Sequence, residues 1–248
     1  MKLIRDTALL QWRYTLQYLR NPVWLFVGLS TPLLYLALFA PLLRHYIHGE
    51  NVLDIFLPGI LALLAFGSGI SMGFGTIFEL QAGVVERFRV TPTSRLALLL
   101  GPLLSGMGWM FLFDVVLVAV GVAFGFHVHI GGLLVLAVLL GLFMIAMASF
   151  SVAMALVTKE ISAFAAVVNG LNLPILLLAG VLLSISTGPG WMRVLAHFNP
   201  LYYLVTAARS LAHGTFGGGA TWQAFAVIVP LCALLVAWAT RVYRRAVS

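Results

Sequence analysis

Long apolar runs broken by short polar joints set the pattern of this chain. Six runs reach the roughly 20 residues that a helix needs to cross a hydrocarbon core. They lie at Pro22–Leu43, Asp54–Phe78, Leu96–Phe126, Gly131–Val157, Ile161–Ser184 and Thr221–Thr240. None shows the ten-residue alternation of a membrane barrel strand. The pattern therefore predicts an all-α integral membrane protein with six transmembrane helices in a single domain, residues 1–248.

Residues 1–21 read differently. On a helical wheel Lys2, Arg5, Arg13 and Arg20 share one arc, while Leu3, Leu10, Tyr14 and Tyr18 occupy another side. That division predicts an interfacial helix that ends at Asn21-Pro22. The stretch 185–220 is only moderately apolar and holds Pro189, Gly190 and Pro200. As a full span it would put the basic C-terminal tail outside, so it is read as an outer re-entrant region of two short helices, broken at Asn199-Pro200. Irregular backbone at that depth needs protein or water as its partner.

Composition sharpens this. Of 248 residues, 62% are hydrophobic and 8% charged, far below the charge of an ordinary soluble domain. With both termini inside, eleven Lys and Arg fall on the cytoplasmic side and three (Arg44, Arg193, Arg209) outside, as the positive-inside rule requires. The net charge of +7 is then a matter of topology and calls for no nucleic acid. The single cysteine, Cys232, excludes an internal disulfide. The mixed, charged N-terminus has no signal-peptide core. Trp24, Trp109, Trp191, Tyr202, Tyr203, Trp222, Trp238 and Tyr243 lie near run ends, where aromatic side chains anchor at the interface.

Candidate chemistry is sparse. Lys2 and Lys159 are the only lysines, and neither sits in a GxxxxGK[ST] loop. The chain itself therefore binds no ATP and carries no cofactor. Ala65–Ser71, AFGSGIS, approaches the serine motif of rhomboid-type proteases, but Phe66 stands where a glycine is needed. The six histidines fall in outer loops or the re-entrant region, and there is no HExxH. His127 and His129 could share a metal, but a third ligand is lacking. Asp114 is the one acid well inside a run, a substrate-path or proton-relay candidate or simply a buried carboxyl bonded to a neighbouring helix. Asn169, Asn172 and Pro174, in NGLNLP, mark a polar, kinked stretch that lines a path, joins two protomers or bonds a neighbouring helix.

Glu79–Arg95, ELQAGVVERFRVTPTSR, is the longest polar interruption, with three basic and two acidic residues. Topology places it in the cytoplasm. A helix from about Leu80 to Arg89 would present Glu86, Arg87 and Arg89 to a partner, Gly83 would permit close approach, and Thr91-Pro92 would stop the helix. The plain alternative is a solvated loop that only orients the protein.

The pattern Glu79-x3-Gly83-x2-Glu86-Arg87, then Thr91-Pro92 and Arg95, resembles the loop between the second and third spans of type-2 ABC exporter permeases. FNPLYYLVTAARSL resembles that family's Asn-Pro motif before the last span. One departure is that Gly180 is followed by VLLSIST before Pro189, where the family often has an earlier proline. The resemblance, closest to the daunorubicin-resistance group of drug and lipid exporters, implies a coupling loop at residues 79–95. Its coupling residues would be Glu79, Gly83, Glu86, Arg87, Arg89 and Pro92. It further implies two copies of a separate ATPase subunit, which hold ATP and Mg, and a second permease chain in a homodimer. It places the chain in a bacterial inner membrane, exporting a drug, polyketide or lipid. A proton-coupled carrier using Asp114 is the alternative.

Overall fold

A computed structural model describes residues 2–46, 52–83, 95–127, 129–181, 185, 189–215 and 218–247. Among them it has nine helices and no strand. These are α1 (Lys2–Arg20), α2 (Pro22–Tyr46), α3 (Val52–Gln81), α4 (Arg95–Ala123), α5 (Ile130–Thr158), α6 (Ile161–Leu178), α7 (Gly190–Ala196), α8 (Pro200–Ala212) and α9 (Gly219–Val247). Five helices, α3, α4, α5, α6 and α9, are long and apolar enough to cross a membrane, and a sixth span is counted when α1 and α2 are taken as one broken pair. The protein is thus an all-α, multi-pass membrane protein.

Glycines in the left-handed conformation close several of these helices, because L side chains resist positive φ. Gly83 (φ +66°) ends α3, and Gly125 (φ +101°) follows α4. Gly180 (φ +69°) follows α6, so this helix stops at Leu178 and not at Ser184 as the apolar run implied. The last turn of α6 is completed by Ala179 N–H donating to the Ile175 carbonyl (3.0 Å).

The centre of the bundle is the pair α3 and α5, with α9 packed on the far side of α5. Small residues bring the first two together. A Cβ built on Gly69 would lie 2.6 Å from the Met147 Cβ, and one on Gly73 would lie 2.3 Å from Ser151 Oγ. Ser151 uses that closeness. Its hydroxyl accepts from Gly73 N–H (2.9 Å) and donates to the Ile70 carbonyl (2.5 Å). Phe56, Leu57, Ile60, Leu139, Phe143 and Met144 are fully buried around this seam.

The helix α1 packs along α4. Leu10 fits over Gly101, where a Cβ would lie 2.5 Å away. Thr15 Oγ1 and Ser105 Oγ share a hydrogen bond (3.1 Å), and the Tyr18 and Trp109 rings meet at 5.9 Å with their planes tilted by 43°. These contacts rise in the same order along both helices, so the two run in the same direction. Leu10 is buried and Arg5, Arg13 and Arg20 are exposed, as the wheel implied. Trp109, expected as an interfacial anchor, is instead held between Tyr18 and Phe113 with its Nε1 buried.

Two short helices, α7 and α8, fill the stretch read as re-entrant, and the break falls at Asn199-Pro200. Asn199 caps α8 by accepting from Leu201 N–H (3.1 Å), and Pro200 takes the first helical position. The α8 face formed by Leu201, Leu204, Val205, Ala207 and Ala208 is completely buried.

Candidate functional site

At one end of the bundle, α1, the last turn of α3 and the start of α4 converge. Glu79 and Leu80 belong to α3, so the helix placed by sequence at about Leu80–Arg89 does not begin at Leu80. The chain instead turns at Ala82–Gly83, with Gly83 N–H donating to the Leu80 carbonyl (3.1 Å). A Cβ at Gly83 would meet nothing within 4 Å. Its backbone angle, not space, is what calls for glycine.

Glu79 is half-buried, and the Tyr14 hydroxyl of α1 donates to its Oε1. Burial first, then the neighbouring Glu79 charge and this hydrogen bond, push the Tyr14 phenol up from its ordinary value. Tyr14 therefore stays a proton donor. Burial also raises Tyr18. Arg13 lies over the Tyr14 ring at 5.6 Å. Glu86, Arg87, Arg89 and Pro92 lie outside the described residues, in the segment 84–94 that joins α3 to α4.

The remaining candidates are scattered. Asp114 is buried in α4, and neither carboxyl oxygen has a hydrogen-bond partner among the described residues. Asn169 and Asn172 sit on α6 and are exposed. No appreciable packing joins α4 to α6, so these residues do not form one site within a single chain.

At the opposite end the histidine pair divides. Asp54 accepts from His127 N–H (3.2 Å) and pairs with its Nδ1 (3.2 Å), whereas His129 Nδ1 bonds the Ala212 carbonyl (3.0 Å). They do not converge on a metal, and no group of three metal-ligating residues occurs among the described residues.

One functional-looking residue escapes the sequence reading: Tyr14, which the pattern places only on the apolar side of α1. Arg209 is the Arg of the FNPLYYLVTAARSL motif and an outer cation by sequence; the structure adds that its Nε donates to the Ile55 carbonyl (3.0 Å) and its Nη2 to those of Gly180 (2.7 Å) and Val181 (3.0 Å). The signal was available for Arg209. A cation in an otherwise apolar helix needs acceptors.

The architecture defines a multi-pass helical membrane protein with a polar joint between α3 and α4 at the end where α1 docks. Residues 5–212 match the family model described as ABC-2 type transporter, and the chain belongs to that family. It is 27% identical over 245 residues to the daunorubicin resistance ABC transporter permease protein DrrB1 of Streptomyces coeruleorubidus, covering 94% of this chain and 84% of that protein. It is 30% identical over 217 residues to ycf38 of Cyanophora paradoxa, a candidate transport permease, covering 84% and 74%. The ycf38 protein of Pyropia yezoensis is also 30% identical, over 225 residues. Family members are permease components without nucleotide-binding motifs, in agreement with the sequence of this chain.

Proposed function

We propose that this chain is the transmembrane permease subunit of an ATP-driven exporter. Two copies would form the path for a hydrophobic or amphipathic substrate (drug, polyketide or lipid) in a bacterial inner membrane, with both termini cytoplasmic. Two copies of a separate ATPase subunit, carrying ATP and Mg, would dock on the segments that join α3 to α4. The observation that carries this reading is the joint itself. Glu79 sits on the last turn of α3 under the Tyr14 hydroxyl and Gly83 turns the chain, so the end of α3 that leads in sequence to Glu86, Arg87, Arg89 and Pro92 is braced by α1. A push on that segment would be transmitted to α1 and α3 together, biasing a bundle with two arrangements. The likeness to a daunorubicin-resistance permease supports the substrate class.

The test is co-purification from membranes with candidate ATPase subunits, comparing wild type with a Glu86→Ala, Arg87→Ala double variant. An ATPase recovered with wild type and lost, or no longer driving transport, in the variant is the expected result. No ATPase recovered under gentle extraction would end this reading. Asp114, buried with no hydrogen-bond partner among the described residues, favours a proton-coupled carrier as the second reading, and transport driven by a pH gradient without ATP would establish it.

A further inference from the structure

Among the spans α6 stands apart. Phe164 is its one buried residue, although the helix is apolar enough to cross a membrane. It is held at its two ends. Near its start, Phe164 packs edge-on to Phe74 at 4.7 Å and against Ile77 and Ala155. Near its finish Ile175 and Leu176 touch the core and Ala179 and Val181, just past the helix, are buried in it, and polar contacts are added from the α8 end of the fold. Asn199 Nδ2 donates to the Ile175 carbonyl (2.7 Å), and Arg209 Nη2 donates to the Gly180 and Val181 carbonyls. The Ile175 carbonyl takes the Asn199 bond in addition to the one from Ala179 N–H, whereas the Gly180 and Val181 carbonyls lie past the last turn, beyond the reach of intrahelical donors, and a cationic donor is well suited to them.

The two sides of this contact are not equally fixed. The buried face of α8 packs into the body made by α3, α5 and α9. Arg209 also reaches that body through Nε, on the Ile55 carbonyl of α3. Its guanidinium thus bridges a seam, with one nitrogen on the packed core and another on the end of α6. Between the two anchored ends of α6 lie Asn169, Gly170, Asn172 and Pro174, all exposed. Pro174 removes one backbone hydrogen bond from the middle of the helix and supplies a point of bending.

We propose that Arg209 and Asn199 are positioning residues that latch the outer end of α6, and that α6 is the span that swings when the exit side opens. The apolar contact at this end of α6 is small beside the interdigitated seam of α3 and α5, and the few directional hydrogen bonds added to it break and re-form as a unit. The latch rests on the geometry alone. The swing rests on the permease reading above.

Hydrogen exchange of the purified chain in lipid nanodiscs decides the latch without any ATPase or substrate. In Arg209→Gln and in Asn199→Ala, amides of residues 170–181 exchange on the order of tenfold faster than in wild type, while those of 200–212 and 136–156 are unchanged. Arg209→Lys, which keeps the charge but reaches one side of the seam, falls between. Unchanged exchange in 170–181, or equal acceleration in 200–212, overturns the latch, the second by exposing a general role in folding. With the partner ATPase present, the same variants hydrolyse several-fold more ATP per substrate exported. A wild-type ratio in a variant with loosened α6 overturns the swing. If wild type shows no ATP-driven transport at all, the permease reading fails instead, and the exchange result stands by itself.

Discussion

The Tyr14 hydroxyl of α1 donates to the Glu79 carboxyl on the last turn of α3, across 65 positions of sequence. This bond ties the N-terminal helix to the helix that leads into residues 84–94. Thr15 and Ser105 make a parallel tie to α4, so α1 is stitched to both helices flanking that segment. Tyr14→Phe removes the donor and leaves a half-buried carboxyl without it, a loss of about 1–3 kcal/mol. Thermal unfolding in detergent will register that loss. On the permease reading, ATPase binding survives in Tyr14→Phe, because the docking residues are untouched, while transport per ATP falls.

Alkaline titration gives an independent view of the same bond. The Tyr14 phenol is raised above its ordinary value of 10.0, chiefly by burial and then by Glu79, and Tyr18 is raised by burial. Both rings therefore hold their protons more tightly folded than unfolded. Their contribution to stability is complete below about pH 10 and is lost as pH rises from there toward the folded values. Tyrosinate absorbance of the native protein should lag behind that of the denatured protein as pH rises above about 10. Tyr14→Phe should flatten part of the alkaline loss of stability.

The seam of α3 and α5 is equally open to test. A methyl group at Gly73 would lie 2.3 Å from Ser151 Oγ, 2.4 Å from Phe164 Cζ and 2.8 Å from the Ser151 carbonyl oxygen. Backbone cannot step aside cheaply, so Gly73→Ala should destabilise by about 1–3 kcal/mol. Gly75, two positions on, has nothing within 4 Å of a built Cβ. Gly75→Ala should be neutral or stabilise by up to about 1 kcal/mol. Equal melting temperatures for the two variants would contradict the seam.

Much of the architecture was visible in the apolar runs, because a span must satisfy its backbone internally and must be about 20 residues long. The break at Asn199-Pro200 was visible too, since capping asparagine and proline at the first helical position are local chemistry. The end of α6 was not. Val181, Leu182 and Leu183 continue the apolar run in sequence, and the helix stops at Leu178, just ahead of the left-handed Gly180. Glu79 was read as the start of a loop because it is charged. Its partner Tyr14 is far away in sequence, and no local pattern links the two. The same holds for Arg209, whose acceptors at Ile55, Gly180 and Val181 are backbone carbonyls that leave no mark in the sequence. For Glu86, Arg87, Arg89 and Pro92, sequence remains the basis of their proposed role.

Asp114 separates stability from function. Its two oxygens are buried without partners among the described residues, a cost of about 1–3 kcal/mol for an unmet polar group. Asp114→Leu should therefore raise the melting temperature, and Asp114→Asn should change it less. If Asp114 serves the substrate path, both variants lower transport, so the two readouts move in opposite directions for the leucine variant. A leucine variant that is stabilised and fully active would reduce Asp114 to a tolerated burial.

Asn169 and Asn172 are three residues apart on α6, hence on one face, and both are exposed beside Leu171 and Leu173. Lipid offers no hydrogen bonds to such a pair, which therefore calls for protein or water alongside. A carboxamide both donates and accepts, so the same two residues on a second copy can answer them across a two-fold axis. Each interhelical hydrogen bond of this kind contributes about 0.6–2 kcal/mol. On the proposal that two copies pair, Asn169→Leu with Asn172→Leu should leave the helical content unchanged and shift the particle from dimer toward monomer in mild detergent, as read by light scattering. If the double variant stays dimeric but loses transport, the face lines the path and the two chains meet elsewhere.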